Sequence, residues 1–151
     1  MKEKLSYKID KIELVEFSIH PIPKLKNTEE IQFNFNLYIT SSVVAEQNLI
    51  IERVQIEMSS KETEDKVAKI ILLVGYSITA FNQYVKLVPG KRIYDIEPEL
   101  DKTIRNISIG TSRGILFSKL QGTYLAGAVL PIIPDDALEK AKITDLQQET
   151  K

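Results

Sequence analysis

The first half of the chain is dominated by an alternation of apolar and polar residues. Residues 31–40 read Ile-Gln-Phe-Asn-Phe-Asn-Leu-Tyr-Ile-Thr, with apolar side chains at odd positions and mostly amides or hydroxyls at even ones. Because successive side chains of a strand point to opposite faces, this pattern predicts a strand with one buried and one solvated face. Residues 50–59 predict another strand, with Val54, Ile56 and Met58 facing inward. Residues 67–79 predict a further strand, which begins apolar on both faces and is therefore expected to be central.

Another strand is predicted nearer the N-terminus, over residues 7–20. Its apolar positions change parity midway, and a β-bulge near Val15 and Glu16 would return them to one face. Pro21 and Pro23 end the strand, because proline cannot donate to a ladder of hydrogen bonds. The connections between the four strands are interpreted as short, which predicts an antiparallel meander, because parallel pairs need long crossovers.

The second half of the chain has helical periodicity. Residues 97–99, Glu-Pro-Glu, predict a helix start, since proline suits the first turn and acidic side chains favour the positive end of the helix dipole. Gly122 predicts where this helix stops. The apolar face follows a spacing of 3.6 residues. Its members are Leu100, Ile104, Ile107, Thr111 and Ile115.

A last, shorter helix is predicted to open at residues 134–136, Pro-Asp-Asp, and to carry Leu138, Ala141 and Leu146. The tail at 147–151 is expected to be frayed. Strands followed by helices are typical of the α+β class. The chain has 151 residues without a Pro/Gly/Ser-rich linker, so residues 1–151 are interpreted as a single domain.

Charge and composition exclude several classes of function. Lys and Arg number 20 against 21 Asp and Glu, and this net charge of -1 gives no basic face for nucleic acid. No cysteine is present, which excludes disulfides and thiolate metal sites. The longest apolar run, 70–74, is too short to span a bilayer, and residues 1–6 lack the apolar core of a signal peptide. These features predict a cytoplasmic protein without membrane insertion.

The sequence offers no set of catalytic residues. His20 is the only histidine, and no second imidazole or thiol accompanies it in a metal cluster or a nucleophile–base pair. The carboxylates are scattered over turns and caps. Residues 110–114, Gly-Thr-Ser-Arg-Gly, lie mid-helix and not between a strand and a helix start, so they do not predict a phosphate loop. We therefore expect neither an enzyme nor a cofactor.

The long helix carries a row of small residues. Asn106, Gly110, Gly114 and Ser118 recur at every fourth position and form one narrow stripe. An interior glycine costs about 1 kcal/mol of helix stability relative to alanine, so two on one face suggest a close approach by a neighbour. A helix of another subunit is the preferred interpretation, and the alternatives are close packing against the chain's own sheet or simple tolerance of small residues at these positions.

Two connectors carry unusually apolar sequence. Residues 124–134 contain no charge, although they join two predicted helices, where connectors are usually polar. Such a segment either fills the core or forms the apolar wall of a binding groove. A second apolar connector follows the strand at 67–79. The candidate binding residues are Phe81, Tyr84, Tyr124, Leu125, Val129, Leu130, Ile132 and Ile133.

Several of these features resemble a known family, the SecB-type export chaperones. Gly122-Thr123-Tyr124, followed by Leu130-Pro131 and Ala137-Leu138, is similar in type and spacing to the segment that joins that family's two helices. Arg113 matches an arginine of the family's long helix, whereas Gly110 replaces a proline. Residues 9–18 resemble the family's first strand. The likeness covers roughly residues 7–142.

The resemblance implies a fold, an assembly and a function. The fold is a four-stranded antiparallel sheet packed against one long and one short C-terminal helix. The assembly is a homotetramer, a dimer of dimers with the long helices at the subunit interface, which agrees with the small-residue stripe. The function is ATP-independent capture of unfolded or precursor polypeptides in an apolar groove for protein export. Residues 124–134 fall near that groove in the family.

The resemblance leaves the partner and the pathway open. Family members dock the SecA motor through an acidic sheet surface, where Glu16 keeps an acidic position. His20 and Lys69 stand where further acids are expected. Some SecB-like chaperones instead serve a toxin–antitoxin pair, and this function is kept as an alternative to export. A module with a closed pocket for a small apolar ligand would produce the same sequence pattern as an extended polypeptide groove.

Overall fold

The elements follow one another along the chain as strands first and a long helix later, which confirms the α+β class. They are seen in a computed structural model that describes residues 4–21, 32–134 and 143–145. In chain order the elements are β1 (Tyr7–Ile19), β2 (Phe33–Val44), a 3₁₀ turn (Ala45–Gln47), β3 (Leu49–Ser60), β4 (Lys66–Ile78), α1 (Phe81–Tyr84), β5 (Val85–Leu87), β6 (Tyr94–Ile96), α2 (Pro98–Leu120) and β7 (Ile143–Asp145).

The main sheet has the strand order β1-β4-β3-β2-β7, and β5 pairs with β6 in a separate two-stranded sheet. The first four strands pair antiparallel, which confirms the predicted four-stranded sheet. The simple meander is wrong for β1, which pairs with β4 and not with β2. The connection over residues 20–32 is far longer than a hairpin turn, and Pro21 within it disfavours a tight hairpin.

Strand β1 lies at one edge of the main sheet and contains two register shifts. The shift between Leu14 and Glu16 confirms the predicted bulge, and a second lies between Ile9 and Lys11. Each bulge adds one residue, so the apolar side chains return to the same face after it. The face that is in register with the buried residues of β4 is therefore entirely apolar. It carries Tyr7, Ile9, Ile12, Leu14, Phe17 and Ile19.

The core lies between one face of the sheet and α2, in two clusters. The first cluster contains Val54, Ile56 and Met58 of β3, all buried as the alternation predicts, together with residues from the second half of α2. The second cluster surrounds Tyr76 of β4 and includes residues from the first half of α2. β4 lies between β1 and β3, which confirms the predicted central strand.

Helix α2 begins and ends where its sequence predicts. Pro98 occupies its first turn with Glu99 and Asp101, and the helix ends at Leu120 just before Gly122. Gly122 has a φ of 79°. This left-handed conformation ends the helix, and glycine adopts it at little energetic cost because it has no Cβ atom.

The buried face of α2 differs from the predicted one. Leu100 and Ile104 are buried as expected, but Ile107, Thr111 and Ile115 are only half-buried. Ser108 and Ser112 are buried as well. Their hydroxyls donate to the carbonyls four residues earlier, at 2.7 and 2.8 Å, and the Ser108 hydroxyl also lies 2.7 Å from the hydroxyl of Tyr76 on β4.

The predicted last helix lies mostly outside the described residues, including Leu138, Ala141 and Leu146. The prediction is wrong over Ile143–Asp145, which form β7 and pair in parallel with Ser41–Val43 of β2. Three paired residues at the open edge of β2 satisfy backbone groups of both strands there.

A polar cluster lies in the core between the sheet and the first turns of α2. Glu52 of β3 is fully buried, and the hydroxyl of Ser41 lies 2.8 and 2.9 Å from its two carboxyl oxygens. Arg105 of α2 is also buried and donates from Nε to Asp101 at 2.9 Å. Burial raises the pKa of Glu52 to about 8, although the Ser41 hydrogen bond and the charge of Arg105 lower it. The carboxyl group of Glu52 therefore keeps its proton at neutral pH.

Candidate functional site

The segment that follows α2 turns back along the helix. Gly122 and Gly127 both have left-handed φ values, which allow the chain to reverse direction there. The Thr123 hydroxyl donates to the carbonyl of Leu120 at 2.6 Å and accepts from the N–H of Leu125 at 3.1 Å. These bonds fix the start of the segment on the end of the helix.

Two apolar side chains of this segment enter the first core cluster. Leu125 and Leu130 are buried there with Leu116 and Leu120 of α2. Both were candidate binding residues, and the structure corrects their position from the surface to the core. Their burial holds the segment against the helix, because each removes a full leucine side chain from water.

The remainder of the segment exposes apolar side chains. The exposed fraction is 38% for Tyr124, 52% for Val129 and 88% for Ile132. Ile133 is partly buried against the first core cluster. Residues 129–134 form the outermost part and are termed the arm below. A single exposed apolar residue is ordinary, but several in one uncharged segment make a patch that water solvates poorly.

Two polar side chains tether the segment. The hydroxyl of Tyr124 donates to the backbone carbonyl of His20, just beyond β1, and the N–H of His20 donates to Val67 at 2.8 Å. Arg113 of α2 donates from Nε to the carbonyl of Leu130 at 2.8 Å and from its second guanidinium nitrogen to Pro131 at 3.1 Å. The start of the segment is thereby held next to β1, and the arm is held next to α2.

The structure does not bring Phe81 and Tyr84 to this surface. Both are buried in the second core cluster, against Leu100 and Ile104 at the other half of α2. Their predicted role in binding is corrected to a role in the core. The short helix α1 directs them inward, because its preceding residue, Ala80, has a left-handed φ of 57° that turns the chain sharply after β4.

Comparison with solved structures shows which fold this is. Rv1957, a SecB-like chaperone of Mycobacterium tuberculosis, solved in complex with a ChAD peptide from the HigA1 antitoxin Rv1956, matches with a TM-score of 0.54. The match covers 85% of this chain and 90% of that one, at 14% sequence identity. The chain has the SecB-like fold. No protein-family model matches it, and no curated protein matches its sequence.

In this SecB-like fold, β2 adds apolar residues that the sequence analysis did not assign to the site. Phe33, Phe35 and Leu37 are only half-buried, and all three pack against the first core cluster, which the arm also contacts through Ile133. The strict alternation of β2 places them on one face. Incomplete burial of that face was not predictable, because it depends on how much of the sheet α2 covers.

The small-residue stripe of α2 faces outward. Asn106, Gly110, Gly114 and Ser118 are all exposed. A Cβ atom on Gly114 would have nothing within 4 Å, and one on Gly110 would lie 4.0 Å from the guanidinium of Arg113. Packing within the chain therefore does not require glycine at either position, and the alternative of close packing on the chain's own sheet is wrong.

The opposite side of the sheet from the core carries paired charges. Glu16 lies 3.3 Å from the ammonium group of Lys69, and Glu13 lies 3.3 Å from Lys11. Glu57 lies 3.6 Å from Lys66. These three acidic side chains each have a cationic neighbour, so the surface that they form is of mixed charge.

In the described parts of the chain, no helix combines the length and the apolar character needed to cross a membrane. The same residues contain no group of three or more carboxylate, imidazole or thiol side chains arranged to hold a metal ion.

Proposed function

We propose that this protein is a holdase chaperone, which binds unfolded or precursor polypeptides in the cytoplasm without ATP and without catalysing a reaction. The observation that supports this most directly is the uncharged arm, held on a SecB-like fold with Val129 and Ile132 exposed. The SecB-like chaperone from Mycobacterium tuberculosis was solved with a bound peptide, and by analogy this chain binds extended peptide segments.

The proposed mechanism is burial of apolar surface. Apolar side chains of a non-native chain displace water from Tyr124, Val129, Ile132 and Ile133, and gain about 25 cal/mol for each Å² buried. The half-buried face of Phe33 and Phe35 extends this apolar surface along β2. Because burial is non-directional, such a surface accepts many sequences and rejects folded proteins, which expose few apolar patches.

The first test of the proposal is complex formation with a permanently unfolded protein in the absence of nucleotide. We expect gel filtration with light scattering to show a stable complex, and we expect the chain to suppress aggregation of a thermally denatured enzyme. A folded form of the same client is the control and should not bind. A chain that ignores the unfolded client would contradict the proposal.

We further propose a homotetramer in which the small-residue stripe lies between long helices of different subunits. Four chains of 17.2 kDa give 4 × 17.2 = 68.8 kDa. Glycines on an exposed helix face cost about 1 kcal/mol each relative to alanine, and a close helix–helix contact would offset that cost. The open space around Gly114 supports this role, since no contact within the chain needs the glycine.

Replacing Gly114 with leucine is expected to break the tetramer and leave the subunit folded. The new side chain fits the isolated subunit and favours the helix, but it blocks approach of a second helix. Light scattering should give a smaller mass with unchanged helical circular dichroism. Lys119→Leu is the control, because residue 119 lies about 140° round the helix from residue 114. An intact G114L tetramer would exclude the stripe as an interface.

A chaperone dedicated to a toxin–antitoxin pair is the second candidate, and two observations favour it over export through SecA. The bound peptide in the similar structure comes from an antitoxin. In addition, Glu16, the predicted docking residue for SecA, is paired with Lys69. Purified SecA and an antitoxin-derived peptide, each titrated against the chain, would separate the two candidates. The surface depression beside Phe81 does not support the alternative of a pocket for a small apolar ligand, because amide side chains line it, those of Asn48, Asn82 and Gln83.

A further inference from the structure

The arm has few bonds of its own. Within the part of the chain that the structure describes, no backbone group of residues 129–134 is hydrogen-bonded to another backbone group. Pro131 and Pro134 have no N–H at all, so the arm cannot join a helix or a sheet in the usual way. The buried side chain of Leu130 and the partly buried side chain of Ile133 hold the arm against the first core cluster. Apolar contacts are non-directional, so they hold the arm in place without fixing the orientation of its backbone.

Arg113 supplies the missing directional contacts. Its guanidinium group donates to two consecutive carbonyls, those of Leu130 at 2.8 Å and Pro131 at 3.1 Å. Two donors from one planar group fix an orientation as well as a position, and a charged donor makes stronger hydrogen bonds than a neutral one. These bonds lie immediately before Ile132, the most exposed apolar side chain of the surface.

The surroundings of Arg113 do not compete with the arm for its guanidinium group. Its guanidinium lies beside Gly110, where a Cβ would be 4.0 Å away and in ordinary contact. Among the ion pairs of the described residues, none involves Arg113. An arginine in a salt bridge would divide its donors between a carboxylate and the carbonyls, whereas here both bonding nitrogens serve the arm.

We infer that Arg113 is the positioning residue of the arm and orders Val129 and Ile132 for contact with an extended polypeptide. This inference deepens the holdase proposal and rests on it. Ordering the arm in advance lowers the entropy that a bound polypeptide must otherwise remove. Loss of Arg113 leaves the apolar side chains in place but lets their orientation vary, so binding weakens on the order of tenfold.

The test uses the absence of cysteine from the chain. A single nitroxide label at Ile132→Cys reports the mobility of the arm by electron paramagnetic resonance, and unlabelled protein gives the affinity for an unfolded client. We expect Arg113→Gln to raise label mobility and weaken client binding on the order of tenfold. Arg113→Lys keeps a single charged nitrogen as a donor group, and it should restore part of the order of the arm and part of the affinity for the client. Arg92→Gln changes the charge equally in an exposed turn and should change neither.

The outcomes separate the two proposals. An unchanged label spectrum in Arg113→Gln would overturn the positioning role, as would a mobile arm that binds clients as tightly as before. Should the natural sequence bind no unfolded client, the holdase proposal fails, yet the label still reports whether Arg113 orders the arm. Arg113→Lys covers the case in which Arg113→Gln does not fold.

Discussion

Replacing Glu52 with glutamine is expected to raise the free energy of unfolding by up to about 3 kcal/mol at pH 7. The natural carboxyl group is neutral in the folded core, with a pKa of about 8, but ionised in the unfolded chain, where its ordinary value is 4.5. Unfolding at neutral pH is therefore favoured by the free energy that is released when Glu52 ionises in water. Glutamine is close in shape, can bond to Ser41 and does not ionise, so this gain disappears.

The sign of the pH dependence follows from the raised pKa. Between about pH 4.5 and 8 the folded chain holds a proton that the unfolded chain has lost, so stability falls as pH rises through this window. Below pH 4.5 both states are protonated, and above pH 8 both are ionised. Glu52 thus makes the chain about 4 kcal/mol less stable at pH 8 than at pH 4.5, and E52Q removes this dependence of stability on pH.

Urea unfolding of both proteins at several pH values between 4.5 and 8 measures the effect as a difference between two curves. Other groups titrate equally in both proteins and cancel. Glu57→Gln removes a carboxylate from the same strand, where it is paired with Lys66, and controls for the loss of one acidic side chain. Parallel stability curves for E52Q and the natural sequence would contradict the assignment of Glu52 as a buried neutral acid.

The double substitution Val129→Ser and Ile132→Ser is expected to weaken binding of an unfolded client roughly a hundredfold. Each apolar side chain contributes about 1.5–3 kcal/mol when fully buried against a client, and serine retains little of that. A combined loss of about 3 kcal/mol corresponds to two orders of magnitude in Kd. Fluorescence anisotropy with a labelled unfolded client gives the affinity directly.

Leu87→Ser provides the matched control for this double substitution. Leu87 has the same exposed fraction as Val129, 52%, but lies on β5, outside the arm. It should leave affinity unchanged. The melting temperature should stay nearly constant in both variants, because the substituted side chains already face water. If the double variant and Leu87→Ser bound the client equally well, general surface hydrophobicity and not the arm would capture clients.

The sequence was most informative where one rule of side-chain periodicity decides the structure. Alternation predicted the four main strands and the inward face of β3, and the parity change near Val15 predicted a bulge. The same alternation puts Glu52 on the inward face with Ile50 and Val54, so its burial was predictable. Its partners were not, because Ser41 and Arg105 come together only when β2 and α2 pack on β3.

The sequence was less informative where distant segments meet. Serine counts as polar in any hydropathy pattern, so the pattern did not identify Ser108 and Ser112 as buried. The packed face of α2 therefore differs from the predicted one. The apolar segment after α2 was recognised, but its division into buried Leu125 and exposed Ile132 depends on where the turns fall. The partners of Arg113 are backbone carbonyls, which leave no signal in the side-chain sequence.

The strand order has a consequence for the synthesis of the chain. β2, β3 and β4 are joined by short connections and can pair as soon as each is made, but β1 must wait for β4 at residues 66–78. Until then its apolar row, with Tyr7, Ile9 and Leu14, has no neighbouring strand. A nascent chain emerges from the N-terminus, so this row is synthesised first but gains its neighbouring strand only after β4 has been made. During its own translation, this proposed chaperone passes through the kind of unpaired, apolar state that it would capture in others.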